Sequence, residues 1–212
     1  MKESTSKEQI LSKVRNALIE KSENPYQEVD FNAEIMNVST EEPDLEFASE
    51  LIAAGGNFVY CENEGSFVEY LGQLIRERNW PIIWCGNARI ANLLDAGEIS
   101  YQNNPYETEN LVGVTSCEKL IARTGSILVS DSDTGSRKAF SLPDIHIVMA
   151  YTSQVTDSLK TALSDIKKKY DDLLPSQLTV ITGASRTADI EKTLVKGAHG
   201  PKELFVFLID DL

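Results

Sequence analysis

The sequence predicts an α/β protein, a mostly parallel sheet with helices on both faces, preceded by an N-terminal helical arm. Short apolar runs of strand length alternate with helical patterns from about residue 57 to the end, which implies a parallel sheet covered on both sides. The 212 residues suffice for one domain with an extension, and a chain of that size buries a core without staples. A 42% hydrophobic and 25% charged composition fits an ordinary globular chain.

Taken in order, residues 6–22 carry Ile10, Val14, Ala17 and Leu18 at helical spacing among charged residues. A polar stretch from Ser22 to Thr40, containing Asn24-Pro25, follows. Residues 1–42 therefore read as an arm that packs on the body or on a partner, and 43–212 as the α/β domain. A second helix is expected from about Pro43 to Ala54, stopped by Gly55-Gly56. Strands are expected at 58–61, 82–85, 111–114, 127–130, 145–150, 179–182 and 204–209. Helices are expected at about 66–78, 87–95, 116–123, 153–170 and 187–196. Residues 126–150 break the rhythm, with two strands flanking the polar loop from Asp131 to Lys138, so an antiparallel pair or excursion belongs there. No internal repeat is visible.

Charge and cysteine usage exclude several classes. A net charge of −13 argues against nucleic acid, which needs a clustered positive field. The dense basic run Lys167-Lys168-Lys169 reads as a solvated helix end. No apolar stretch approaches the roughly 20 residues of a membrane span, and the charged N-terminus does not resemble a signal peptide, so no membrane insertion is expected. Cys61, Cys85 and Cys117 lie far apart with no C-x-x-C, which removes local zinc, iron–sulfur and thioredoxin motifs. The expectation is a soluble, cytoplasmic protein that handles a small anionic metabolite, a carboxylate or phosphate, with no metal or cofactor of its own.

Ligands of open α/β sheets gather where strands lead into helix N-termini. The best junction is Thr182-Gly183-Ala184-Ser185-Arg186-Thr187, expected to run from a strand into a helix. Amides, hydroxyls and a guanidinium at a helix tip make an anion site; in the plain alternative Ser185 is an N-cap, with Asp189 and Glu191 complementing the dipole. Gly183-Ala184-Ser185-Arg186-Thr187 also nearly matches the G-x-S-x-G elbow of serine hydrolases, but Thr187 crowds the second glycine position. His199, in Gly197-Ala198-His199-Gly200-Pro201, lies on a loop where it can orient a ligand or move a proton, or simply be solvated. With Asp189 it is the catalytic candidate. Thr124, Gly125 and Ser126 either line the anion or end a helix. Arg137 is an anion clamp or a surface arginine, and His146 is a ligand group or a hydrogen-bonded core histidine.

At these same segments the chain resembles the LUD (lactate-utilisation) domain family. The carrying residues are Gly113-Val114-Thr115, Ile121 to Ser126, Leu142 to Val148, Ile181 to Glu191 and Gly197 to Pro201, within a resemblance covering roughly 45–212. It implies a fold similar to the sugar-phosphate isomerase and coenzyme A transferase superfamily. It also implies a subunit of a three-component system oxidising L-lactate to pyruvate. The iron–sulfur clusters would sit only on partner subunits, an iron–sulfur LUD protein and an oxidoreductase subunit. The alternative is a stand-alone isomerase or acyl-transfer enzyme. Many relatives have glutamate where this chain has Arg123, and proline where Ala184 stands.

Overall fold

A computed structural model describes residues 5–19, 26, 28–30, 41–80, 82–103, 112–134, 138–171, 173–190, 193–197 and 200–211; side chains of residues 18, 133, 187–190 and 193–196 are outside the description. The chain divides into two compact units, Met1–Val38 and Ser39–Leu212. The first contains helix α1 (Ser6–Ile19). The Thr5 N–H donates to the Glu8 carboxylate at 2.7 Å and the Glu8 N–H to Thr5 Oγ1 at 3.4 Å, a reciprocal cap that explains where this helix starts.

The second unit opens with α2 (Pro43–Ala53), which has proline in its first turn, then β1 (Asn57–Cys61). Helix α3 (Glu64–Arg78) follows, capped by Asn63, whose side-chain oxygen accepts from the Ser66 N–H at 3.0 Å. Next come β2 (Ile83–Cys85), α4 (Ala88–Ala96), β3 (Tyr101–Gln102) and β4 (Val112–Thr115). β5 (Lys119–Ile121) runs through a 3-10 turn, Ala122–Thr124, into β6 (Ser126–Ser130). The short α5 (Asp131–Thr134), β7 (Ile145–Tyr151), β8 (Val155–Thr156) and α6 (Leu159–Tyr170) lead to β9 (Leu178–Thr182). β10 (Arg186–Ile190), β11 (Thr193–Lys196) and β12 (Glu203–Ile209) complete the chain.

Six strands form a parallel sheet in the order β1-β12-β7-β4-β2-β3. Its central strands are mostly apolar, with His146 and Thr115 the buried polar exceptions, and alternate residues feed two cores. Ile147, Met149, Phe205 and Phe207 pack with Phe67 and Leu71 of α3 and Ile90 and Leu94 of α4. Val148, Ala150, Val206 and Leu208 pack the other way, against Phe47 and Leu51 of α2. Helices thus lie on both faces, but α2 shares its face with a second sheet of order β8-β5-β6-β9. That sheet presents Leu120, Ile127 and Val129 to the shared core and Ile121 and Leu128 to Ala162 and Ile166 of α6.

The second sheet accounts for two departures from expectation, and a separate hairpin for a third. The helix expected at 116–123 is β5 and a 3-10 turn. Because both faces of β5 are apolar, its run lacks the alternation that marks a half-buried strand. The excursion at 126–150 is real but differently wired: β6 pairs antiparallel with β5 and β9, while β7 joins the parallel sheet. The helix expected at 187–196 is a two-stranded hairpin, Arg186 opposite Lys196 and Thr187 opposite Val195. Its ends are tied by backbone bonds from the Gly197 N–H to the Ser185 carbonyl (3.0 Å) and from the Ser185 N–H to the Pro201 carbonyl (2.8 Å). Closing that loop, together with β-branched Thr187, Ile190, Thr193 and Val195, overrides a weak helical spacing. The helix at 153–170 likewise starts only at Leu159, where Ser158 caps it.

Candidate functional site

A cleft of about 700 Å³ opens between the two sheets. One wall is β9 and the turn after it, from Thr179 to Arg186. The other is Ala54 at the end of α2, Phe140, Ser141, Gly200, Pro201 and Leu204. The floor is apolar, with Phe140, Ile181 and Leu204, and the rim is hydroxyls and one guanidinium. Leu204 lies at the amino end of β12 and Ala54 just before β1, so the cleft sits opposite the carboxyl edge of the parallel sheet.

β6 and β9 bring distant parts of the predicted site together. Their pairing places Ser126 opposite Thr182. Ser126 Oγ lies 2.7 Å from Thr182 Oγ1 and 2.7 Å from Thr124 Oγ1, a continuous string of hydroxyls. Ser126 is buried, whereas Thr124 and Thr182 are exposed, so the string runs from the sheet to the surface. Each hydroxyl has one proton and two lone pairs, so the outer members keep hydrogen-bonding capacity for a ligand.

The two glycines of these motifs serve packing. Gly125 has φ +56°, and a Cβ there would run into the backbone of Glu50 and Leu51. Gly183 has φ +69°, and its Cβ would meet the Ala54 carbonyl. Both turns are pressed on the last turns of α2, which only a residue without a side chain in the left-handed region permits. Arg186 works on the same helix end. Its exposed guanidinium donates to the Ala54 carbonyl, one of the unpaired acceptors at the negative end of the α2 dipole. No helix starts at Arg186, so no helix N-terminus contributes amides or dipole here, and the anion site expected on that basis must rest on the hydroxyls, the turn and the remaining guanidinium donors.

The other predicted residues are dispersed. Ser185 lines the cleft with its backbone pinned on both sides. Thr187 and Asp189 lie on β10, their side chains outside the description. His199 and Arg137 fall outside the described residues. His146 is fully buried on the parallel sheet, with Nε2 2.8 Å from Thr115 Oγ1 and Nδ1 without a partner. Burial pushes its pKa down to about 3, so it is a neutral imidazole. Asp144 binds Lys202: a 2.8 Å ion pair joins the side chains, and the Lys202 N–H donates to the Asp144 carbonyl at 2.7 Å.

The carboxyl edge of the parallel sheet, where the general rule would put a ligand, holds groups that satisfy one another. The Tyr151 hydroxyl donates to Glu64 at 2.6 Å, Arg89 pairs with Glu64 at 3.0 Å, and the Arg89 guanidinium lies 4.5 Å from the Tyr151 ring centre. Asn87 caps α4 through its oxygen and donates through its nitrogen to Ser116 Oγ at 2.9 Å.

Sequence reasoning missed the Phe140–Ser141 wall and the buried carboxylate of Glu118. Glu118 accepts from Ser130 (2.5 Å), Tyr170 (2.6 Å) and Lys169 (2.7 Å). Burial pushes its carboxyl up, but these three donors together hold it below the usual carboxylate range. The Cys61 and Cys85 thiols are buried and pushed up to about 11, which keeps them protonated and inert. Among the described residues no helix is long and apolar enough to cross a membrane.

Comparison with known proteins agrees with the sequence motifs. A lactate utilization protein C of Bacillus licheniformis is 30% identical over 164 residues, covering 74% of this chain and 64% of that protein. One from Bacillus velezensis is 31% identical with the same coverage. The chain therefore spans a little under two thirds of the length of these relatives. A crystal structure of a DUF162 family protein from Deinococcus radiodurans shares the fold, with a TM-score of 0.55 over 82% of this chain and 99% of that one at 18% identity. A ribose 5-phosphate isomerase A from Methanocaldococcus jannaschii aligns over 63% of this chain and 68% of its own at 12% identity and a TM-score of 0.32, too low to argue from. The LUD domain pattern matches residues 102–209, which hold β4 to β12 and most of the cleft, and the chain belongs to the LUD domain family.

Proposed function

We propose that this chain is a metabolite-binding subunit of an L-lactate oxidation system, holding a small carboxylate or phosphate in the inter-sheet cleft while separate iron–sulfur subunits carry the electrons. The relatives' names support the lactate context. The observation that carries the reading is the apolar-floored cleft lined by Thr182, Ser185 and Arg186, with Thr182 held by Ser126 at 2.7 Å behind it. Its volume falls in the range of small-molecule sites. In a chain of net charge −13, an anion is held where acids are absent and donors converge; residues 173–188 contain no acid and one cation, Arg186. Thr182 and Ser185 donate to the anion, and Arg186, anchored through Ala54, supplies charge with its other N–H groups. His199 and Asp189 are the residues proposed to orient the ligand or move a proton. No cofactor of its own is needed for that part.

Thermal denaturation with L-lactate, pyruvate or inorganic phosphate tests the proposal. At least one should raise the melting temperature of the wild type, and the rise should vanish in Thr182→Val/Ser185→Ala. If none of the three stabilises the wild type, or the double variant responds as it does, the cleft is not the metabolite site.

A further inference from the structure

The cleft between the sheets is longer than a bare small anion. Its wall starts at Gln177, just before β9, follows that strand through Thr179 and Ile181 to Thr182, and continues round the turn to Ser185 and Arg186. At about 3.3 Å per residue, the run from Gln177 to Thr182 alone spans roughly 16 Å. L-lactate, allowed a water's share of roughly 30 Å³ for each non-hydrogen atom, would fill only about a quarter of the 700 Å³ space.

The two ends of this cleft differ in charge. Among the described residues Arg186 is the one charged side chain that lines it. Ser185 stands at the same end and its side chain faces Gly200 across the cleft, where an added Cβ would lie 3.3 Å from Ser185 Cβ and 3.5 Å from its Oγ. The other end has only uncharged groups: Gln177 Nε2 donates to Thr179 Oγ1 at 3.1 Å. Behind it is an acid, since Asp131 Oδ1 accepts from the Gln177 N–H at 3.1 Å. An anionic group is therefore drawn to the Arg186 end, and a second one at the Gln177 end meets no cation. Between the ends lies apolar surface. Half-buried Ile181 packs against the core that holds Phe140 and Leu204, and all three line the cleft.

We infer that the ligand is an elongated anion with a single charged end, a carboxylate or phosphate at Ser185 and Arg186, and a hydrocarbon body laid along β9 over Ile181, Phe140 and Leu204. This rests on the cleft being the metabolite site and adds the chemical class of the metabolite. The hydrocarbon body supplies affinity by leaving water, and the charged end fixes direction and position. A dicarboxylate of the same length, or an anion without a body, uses only part of the cleft.

Isothermal titration calorimetry on the full chain tests this with two homologous series: L-lactate, 2-hydroxyhexanoate and 2-hydroxyoctanoate, and inorganic phosphate, butyl phosphate and hexyl phosphate. In at least one series affinity should climb roughly twofold to fourfold per methylene. Hexyltrimethylammonium, with the same chain and the opposite charge, should bind far more weakly. Thr179→Phe, which fills the cleft while keeping a good strand residue, and Ile181→Thr, which makes its floor polar, should each flatten the climb. Bare anions that bind with no gain from the chain, a climb undiminished in both variants, or a cation that binds as well as the anions would overturn the inference and leave the cleft as a site for small anions. If no member of either series binds, the metabolite site itself is refuted and this inference falls with it.

Discussion

Two polar clusters of this protein invite comparison. The string Thr124–Ser126–Thr182, with the single charge of Arg186 nearby, is conspicuous in sequence and reaches the cleft through Thr182. The cluster of Glu118, Ser130, Lys169 and Tyr170 has no motif, yet it closes around a carboxylate with no exposed surface. The first keeps donors and acceptors in hand, which is what binding requires. The second uses its bonds internally, clamping the end of α6 to the second sheet, which is what stability requires. Conspicuous residues are thus not the ones on which the fold leans most.

The largest effect is expected on the closed side. Glu118→Ala leaves the Lys169 ammonium and two hydroxyls around a vacated site. Breaking a buried pair costs about 3–5 kcal/mol, and because Lys169 is half exposed and can swing into water the lower figure applies. For a chain of this size that lowers the melting temperature by on the order of 10 °C. A loss below about 1 kcal/mol in urea denaturation would show that the clamp is ornamental.

Acid sharpens the same contrast. His146 is neutral in the fold, its pKa moved from 6.5 down to about 3 by burial, so the unfolded chain takes up a proton first as pH falls. Stability is therefore greatest above pH 6.5 and declines below it, by on the order of 2 kcal/mol between pH 7 and 4.5. Urea midpoints across that range should fall in the wild type and lose most of that slope in His146→Gln. Glu118 adds its own loss lower down: held below its ordinary 4.5, it stabilises above that value and ceases to as pH drops through its folded value.

On the open side, Gly183→Ala is expected to cost about 2 kcal/mol, from a left-handed backbone and a collision with the Ala54 carbonyl. It should also weaken any ligand response, because α2 and the cleft rim must separate. Smallest is Thr182→Val. Removing an exposed hydroxyl bonded to Ser126 should change stability by no more than about 1 kcal/mol. A large loss there would erase the distinction between the clusters.

Of the parallel strands, β1, β2, β4, β7 and β12 were legible as apolar runs, while the two-residue β3, Tyr101-Gln102, was not, being too short and too polar to stand out. The hairpin β10–β11 was not, since Ile190 and Leu194 fit a helical spacing and only the tie between Ser185 and Pro201 makes a strand pair preferable. In the site, the hydroxyls of 124–126 and 182 could be named one by one. That Ser126 and Thr182 touch follows from the register of β6 on β9, a pairing across 56 residues that no local pattern encodes.

Local chemistry by itself settled the architecture class, the motifs of the LUD family and the lack of any sequence-local cysteine metal motif. Tertiary structure decided the rest. It turned Gly125, Gly183 and Arg186 toward the end of α2, sank His146 in the core, and gathered Glu118 with partners more than fifty residues away. The physical reason is common to all: burial and long-range hydrogen bonds depend on which surfaces meet, and a sequence window sees only its own neighbours.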